Sequence, residues 1–155
     1  MSLYLLALSL IFALFTAHNE TPGVDASELK NAAQAISEQC AAAPLPGLDA
    51  EQCVAVVADW AWHESRFDAA STHDHGQGLG LFGTHHATLG HHVSEDATGQ
   101  TFEAVGLFRR SLAQCASHPL AERLAGYASG YCDRRTDLSS YRLHEAARLL
   151  REVGR

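Results

Sequence analysis

The 155 residues suit one domain, and 46% hydrophobic with 19% charged residues is ordinary globular usage, enough for a core of useful size. The formal charge of −7 argues against a general nucleic-acid binder, which would normally show a basic patch, and it gives no electrostatic reason to adhere to anionic membranes.

Residues 3–17, LYLLALSLIFALFTA, are apolar except for Ser9 and Thr16. The run is short for a bilayer span, which needs about 20 residues, and it fits the h-region of a signal peptide. No Lys or Arg precedes it, and bulky Phe15 lies where a cleavage site near Ala17 prefers a small residue. Residues 1–17 are therefore expected to be a signal peptide, with an uncleaved N-terminal anchor as the other reading. Membrane association is expected only in the second case, and an exported, periplasmic or extracellular protein in both. No Cys near the run suggests a lipid anchor.

Residues 18–26 form a polar lead-in, and 27–155 the functional domain. A helix is predicted from about Ser27 to Ala42, with Leu29, Ala32, Ala33, Ile36 and Cys40 at helical spacing; Pro44, Pro46 and Gly47 end it. Asp49 caps the next helix, with Gln52 at the reciprocal capping-box position, and this helix sets Cys53, Val56, Val57 and Trp60 on one face. Residues 65–100 break the pattern with Gly76, Gly78, Gly80, Gly83, Gly90 and Gly99 and six His. So long a Gly/His-rich insert in a small domain is often functional; it reads as a short β-hairpin or irregular loop. Thr101 then caps a helix carrying Val105, Phe108, Leu112 and Cys115. Pro119 suits the first turn of a helix bearing Leu120, Leu124 and Tyr127, which Gly130 stops. A last helix from about Ser139 aligns Leu143, Ala146, Ala147, Leu150 and Val153. The fold class is mainly α.

Cys40, Cys53, Cys115 and Cys132 form no CxxC pair, so a thiolate zinc site is poorly supported. Four Cys in an exported domain suggest two disulfides among three connectivities. Cys40–Cys53 and Cys115–Cys132 are favoured because each ties two sequential helices across a short turn; four buried thiols are the alternative.

Glu64 is the residue out of place. It falls near the middle of the apolar stripe of Cys53, Val56, Val57 and Trp60 and close to a helix C-terminus. Desolvation and the helix dipole both favour the protonated form there, as a general acid needs. The plainer reading is a carboxylate that reaches solvent or pairs with Arg66.

The segments Glu64-Ser65-Arg66-Phe67, Gly80-Leu81-Phe82-Gly83 and Ala125-Gly126-Tyr127-Ala128-Ser129-Gly130 follow one another in a helix–loop–helix layout. In that order they resemble the lytic transglycosylases and their goose-type lysozyme relatives, over roughly residues 50–150. Gly83 and Ala128 stand where that family carries Gln and Asn. The resemblance implies a lysozyme-like helical domain with a glycan cleft, acting on peptidoglycan strands as a monomer. Glu64 would be the catalytic acid/base; Ser65, Gly80, Phe82 and Tyr127 would contact substrate; Phe67 would pack. Tyr127 also reads as an ordinary core aromatic at helical spacing. The family chemistry uses one carboxyl: Glu64 would protonate the oxygen between N-acetylmuramic acid and N-acetylglucosamine, then accept the C6 hydroxyl proton as an anhydro ring closes. A hydrolase would need a second carboxylate, for which Asp68, Asp74, Glu95 and Asp96 are candidates.

His63, His73, His75, His85, His86, His91 and His92 raise a metal-binding alternative. However, Phe67 occupies the position that a zinc-protease helix needs for its second His. No metal and no other cofactor is expected, and the segment reads as a solvated polar loop. Two further alternatives are a lysozyme-type hydrolase and a glycan-binding module with a lapsed site.

Overall fold

Helix capping sets the frame of the fold. The computed structural model describes residues 1–154, apart from the Asp74 side chain, so the candidate acid Asp74 lies outside the described side chains. Helix α1 spans Leu3–Ala17, α2 Ala26–Ala42 and α3 Ala50–Ser65. Asp49 accepts from the Gln52 amide at 2.8 Å, and Gln52 Oε1 accepts from the Asp49 amide at 3.1 Å. This is the reciprocal box read from the sequence, and a second one joins Asp25 to Glu28 at the start of α2.

Helix α3 lies at the centre, packed against α1, α2 and α7 (Thr136–Val153). Burial consequently runs almost around it: every residue from Cys53 to Trp62 is buried, not only the predicted face. Helix α1 closes one side through Leu6, Ala7, Leu10, Ile11, Leu14 and Phe15. Phe15 meets the Trp62 ring edge-on at 4.7 Å. Each buried Leu, Ile or Phe contributes about 1.5–3 kcal/mol, so the apolar run at residues 3–17 is here a structural part of the core. No helix among the described residues is long and apolar enough to cross a membrane.

Helix α3 ends without glycine. Arg66 and Phe67 both adopt left-handed backbone, at φ 58° and 65°, a conformation costing about 1–2 kcal/mol per residue. Complete burial of Phe67 offsets this, as do three contacts of Arg66. Its guanidinium lies 4.4 Å from the Trp62 ring centroid, donates to the Trp62 carbonyl at 2.7 Å and pairs with Glu20 at 3.1 Å. The predicted packing role of Phe67 and the left-handed turn are thus one feature.

The Gly/His-rich segment forms a small antiparallel sheet of three two-residue strands, β1 (Thr72–His73), β2 (Gly78–Leu79) and β3 (Thr84–His85), in that order. Thr72 faces Leu79, and Leu79 faces Thr84. A 3-10 turn at Gly80–Phe82 links β2 to β3, and a single turn, α4 (His86–Leu89), follows.

Helix α5 runs over Ala97–Gln114, α6 over Leu120–Ser129. The α5 cap is Asp96, accepting from the Gly99 amide at 2.8 Å. Thr101, expected as the cap, is instead buried inside the helix and donates to the Ala97 carbonyl at 2.7 Å. Gly130 ends α6 at φ 73°. Helix α7 begins three residues before the expected Ser139 and is rotated from the predicted stripe. It buries Ser139, Arg142, Glu145, Ala146 and Leu149, while Leu143 and Leu150 are half-buried and Ala147 is exposed. The favoured disulfides, Cys40–Cys53 and Cys115–Cys132, are both present.

Candidate active site

The last turn of α3 presents Glu64 to a cleft of about 610 Å³ whose lining includes His63, Phe82, Gly83, Tyr127 and Arg142, a size within the usual range for ligand sites. Glu64 keeps 29% of its side chain exposed, and its Oε1 accepts from Arg142 Nη1 at 2.8 Å. Arg142 is itself 6% exposed and stacks 4.5 Å from the Trp60 ring centroid. The partner weighed from sequence, Arg66, is engaged with Glu20 and Trp62.

Gly83 explains the position of the second carboxyl oxygen. Its φ is +57°, and a Cβ there would sit 3.2 Å from Glu64 Oε2. The glycine thus leaves room for that oxygen beside the loop. Among the described residues Glu64 is the sole carboxylate lining the cleft. Asp68 instead caps a turn through the Ala70 amide at 2.8 Å, Asp96 caps α5, and Glu95 is exposed.

Tyr127, on α6, also lines the cleft. Its hydroxyl donates to the Phe82 carbonyl at 3.1 Å, and its ring stacks on Phe108 at 4.0 Å. Desolvation raises its phenol well above the ordinary range, against a hydrogen bond with Thr84, so it stays a neutral donor. Phe82 and Tyr127, both expected from the sequence, therefore meet Glu64 at one cleft.

Ser65 and Gly80 do not line the cleft. Buried Ser65 directs its hydroxyl at the Leu81 carbonyl, 2.9 Å away, and at the Ala61 carbonyl, 3.2 Å away. Gly80, at φ +73°, makes way for Gln100: a Cβ there would come within 2.4 Å of the Gln100 side chain. Gln100 accepts from the Leu81 amide at 2.8 Å and donates to the Ala69 and Ser94 carbonyls at 3.0 Å. Both residues thus hold the 80–83 segment beneath the cleft.

The histidines divide. His73 and His85 line the cleft, and His73 Nε2 lies 2.9 Å from Ser71 Oγ. His86 and His92 stack edge-on at 5.1 Å on the loop beyond β3, and His75 is exposed. His63 lies 2.8 Å from Glu145 Oε2, and His18, the C-cap of α1, lies 3.1 Å from Glu145 Oε1. Asp59, one turn before His63, is 1% exposed and has no hydrogen-bond partner on either carboxyl oxygen.

Burial, and then the neighbouring Glu145 carboxylate, push the Asp59 carboxyl up to about 9. Burial also lowers His63, against its bond to Glu145. Burial acts to raise Glu145, but bonding to His63 and the field of His18 hold it below the usual carboxylate range. Sequence reasoning missed His18, Asp59, Arg142 and Glu145. A signal existed: Asp59 is the one charged residue in the 53–62 run, and Arg142 and Glu145 are in phase on α7 with Ser139 and Leu149. Compared with protein-family models, curated proteins and solved structures, the chain matches none.

Proposed function

We propose that the chain is a peptidoglycan-cleaving enzyme of lysozyme-like type, acting as a lytic transglycosylase with Glu64 as its single acid/base. The observation that carries this reading is Glu64 as the sole carboxylate among the described residues lining the cleft, which Tyr127 also lines. One carboxyl suffices when no water is activated. Glu64 gives its proton to the oxygen leaving between N-acetylmuramic acid and N-acetylglucosamine, then takes the proton of the muramyl C6 hydroxyl as that oxygen attacks C1. The acid returns to its starting state and no water is consumed. An inverting or retaining hydrolase would need a second carboxylate across the bond. The two disulfides fit an oxidising, exported setting.

The Glu64–Arg142 ion pair favours a second reading, a glycan-binding module without turnover, since it engages Glu64 Oε1 with a guanidinium instead of leaving it free to meet a glycosidic oxygen. The test is digestion of purified peptidoglycan by the wild type and by Glu64→Gln, with soluble products identified by mass spectrometry. Anhydro-muramyl ends from the wild type alone support the transglycosylase. Reducing ends would move the assignment to a hydrolase. Binding to peptidoglycan without any product would establish the binding module.

A further inference from the structure

Around His63, three helices bring their polar groups to one point. His18 ends α1, His63 lies in the last turn of α3, and Glu145 lies midway along α7. Their ligand-capable atoms all lie within 4.8 Å of one another. The two His–Glu contacts, 3.1 Å to Oε1 and 2.8 Å to Oε2, set both imidazoles against one carboxylate.

Asp59 is the second, independent observation. It is 1% exposed, its Oδ2 lies 3.9 Å from His63 Nε2, and its carboxyl adjoins that of Glu145 with no N–H donor on either of its oxygens. So buried, the carboxyl is costly to ionise, and a cation set beside it would lower that cost. Arg142 and Arg148 favour its charged form only through space: Arg142 is bonded to Glu64, and half-exposed Arg148 lies 3.7 Å from Glu145. Trp62 packs against the His18 ring at 5.1 Å and Tyr141 against His63 at 5.7 Å, which orients both imidazoles.

We propose that His18, His63 and Glu145 bind a divalent cation of the Zn²⁺ class, with the buried Asp59 carboxyl adjoining it. Two imidazole nitrogens with a carboxylate suit zinc and its first-row neighbours, whereas Mg²⁺ and Ca²⁺ prefer oxygen alone. The ion would clamp the C-terminus of α1 to α3 and α7. This site does not depend on the glycan-cleaving reading of Glu64.

The test is calorimetric titration of the oxidised, metal-stripped full chain with ZnCl₂ at neutral pH. One Zn²⁺ per chain is expected, with affinity weakened about 10-fold or more in His18→Gln and in Glu145→Gln, and unchanged in the loop double variant His86→Asn/His92→Asn. Circular dichroism in chelator checks that each variant folds. Independently of any variant, histidine-ring NMR of the wild type should show the His18 and His63 nitrogens shifting on Zn²⁺ addition, with those of His86 and His92 unmoved. Absence of Zn²⁺ uptake overturns the proposal. So does uptake that shifts His86 and His92 and leaves His18 and His63 unchanged.

Discussion

Arg142 reaches Glu64 across 78 residues of sequence and donates to its Oε1 at 2.8 Å. The contact joins α7 to the last turn of α3 and sets one oxygen of the carboxyl against the guanidinium, leaving the other beside Gly83. Arg142→Met should cost about 1.5–3 kcal/mol, the range for losing a charge-assisted bond. Paired with Glu64→Gln in a double-mutant cycle, it should show a coupling of about 1 kcal/mol. Urea unfolding measures both; additive losses would mean that the ion pair does not couple the two helices.

Gly83→Ala should damage the site more than the fold. A methyl group there would sit 3.2 Å from Glu64 Oε2 on a residue at φ +57°. The backbone penalty is about 1–2 kcal/mol, which most domains survive. Product release from peptidoglycan is expected to fall about 10-fold or more, as for a displaced general acid, with a small loss in melting temperature. Unchanged turnover would show that Oε2 does not need this space.

Stability should fall with rising pH through Asp59. The folded-state value is raised from 3.8 to about 9. Between those values the folded chain holds a proton that the unfolded chain releases, so the full contribution is present only at the acid end and is lost as pH rises. Glu145 and Arg142 and Arg148 of α7, His18 of α1 and His63 of α3 face or surround this group. Lowered Glu145 and His63 act oppositely, losing stability as pH falls below their ordinary values. In chelator, Asp59→Asn should flatten the decline between the two Asp59 values and exceed the wild type in mild alkali by on the order of a few kcal/mol. Parallel stability curves for the two proteins would refute it.

Deleting residues 1–17 tests the place of α1. The deletion removes buried Leu6, Leu10, Ile11, Leu14 and Phe15. At about 1.5–3 kcal/mol each, their loss rivals the 5–15 kcal/mol net stability of a typical domain. The truncated, oxidised chain is expected to lose its cooperative thermal transition. If residues 18–155 instead melt as the full chain does, α1 is dispensable to the fold, as a cleaved leader would be.

Much of the local structure was determined by the sequence alone. Asp49 with Gln52 begins α3, Gly130 ends α6, and the cysteines pair between neighbouring helices, because capping, backbone freedom and short loop closure act within a few turns. Glu64, Phe82 and Tyr127, singled out in the sequence, line one cleft for a related reason: each belongs to a short segment whose shape is local. Only the tertiary structure decided the rest. The rotation of α7 places Arg142 and Glu145 inward, and the docking of α1 carries His18 to His63. A helix's own pattern permits several rotations about its axis. The one adopted is selected by the summed packing of α1, α3, α6 and α7, and that choice determines which distant charges meet.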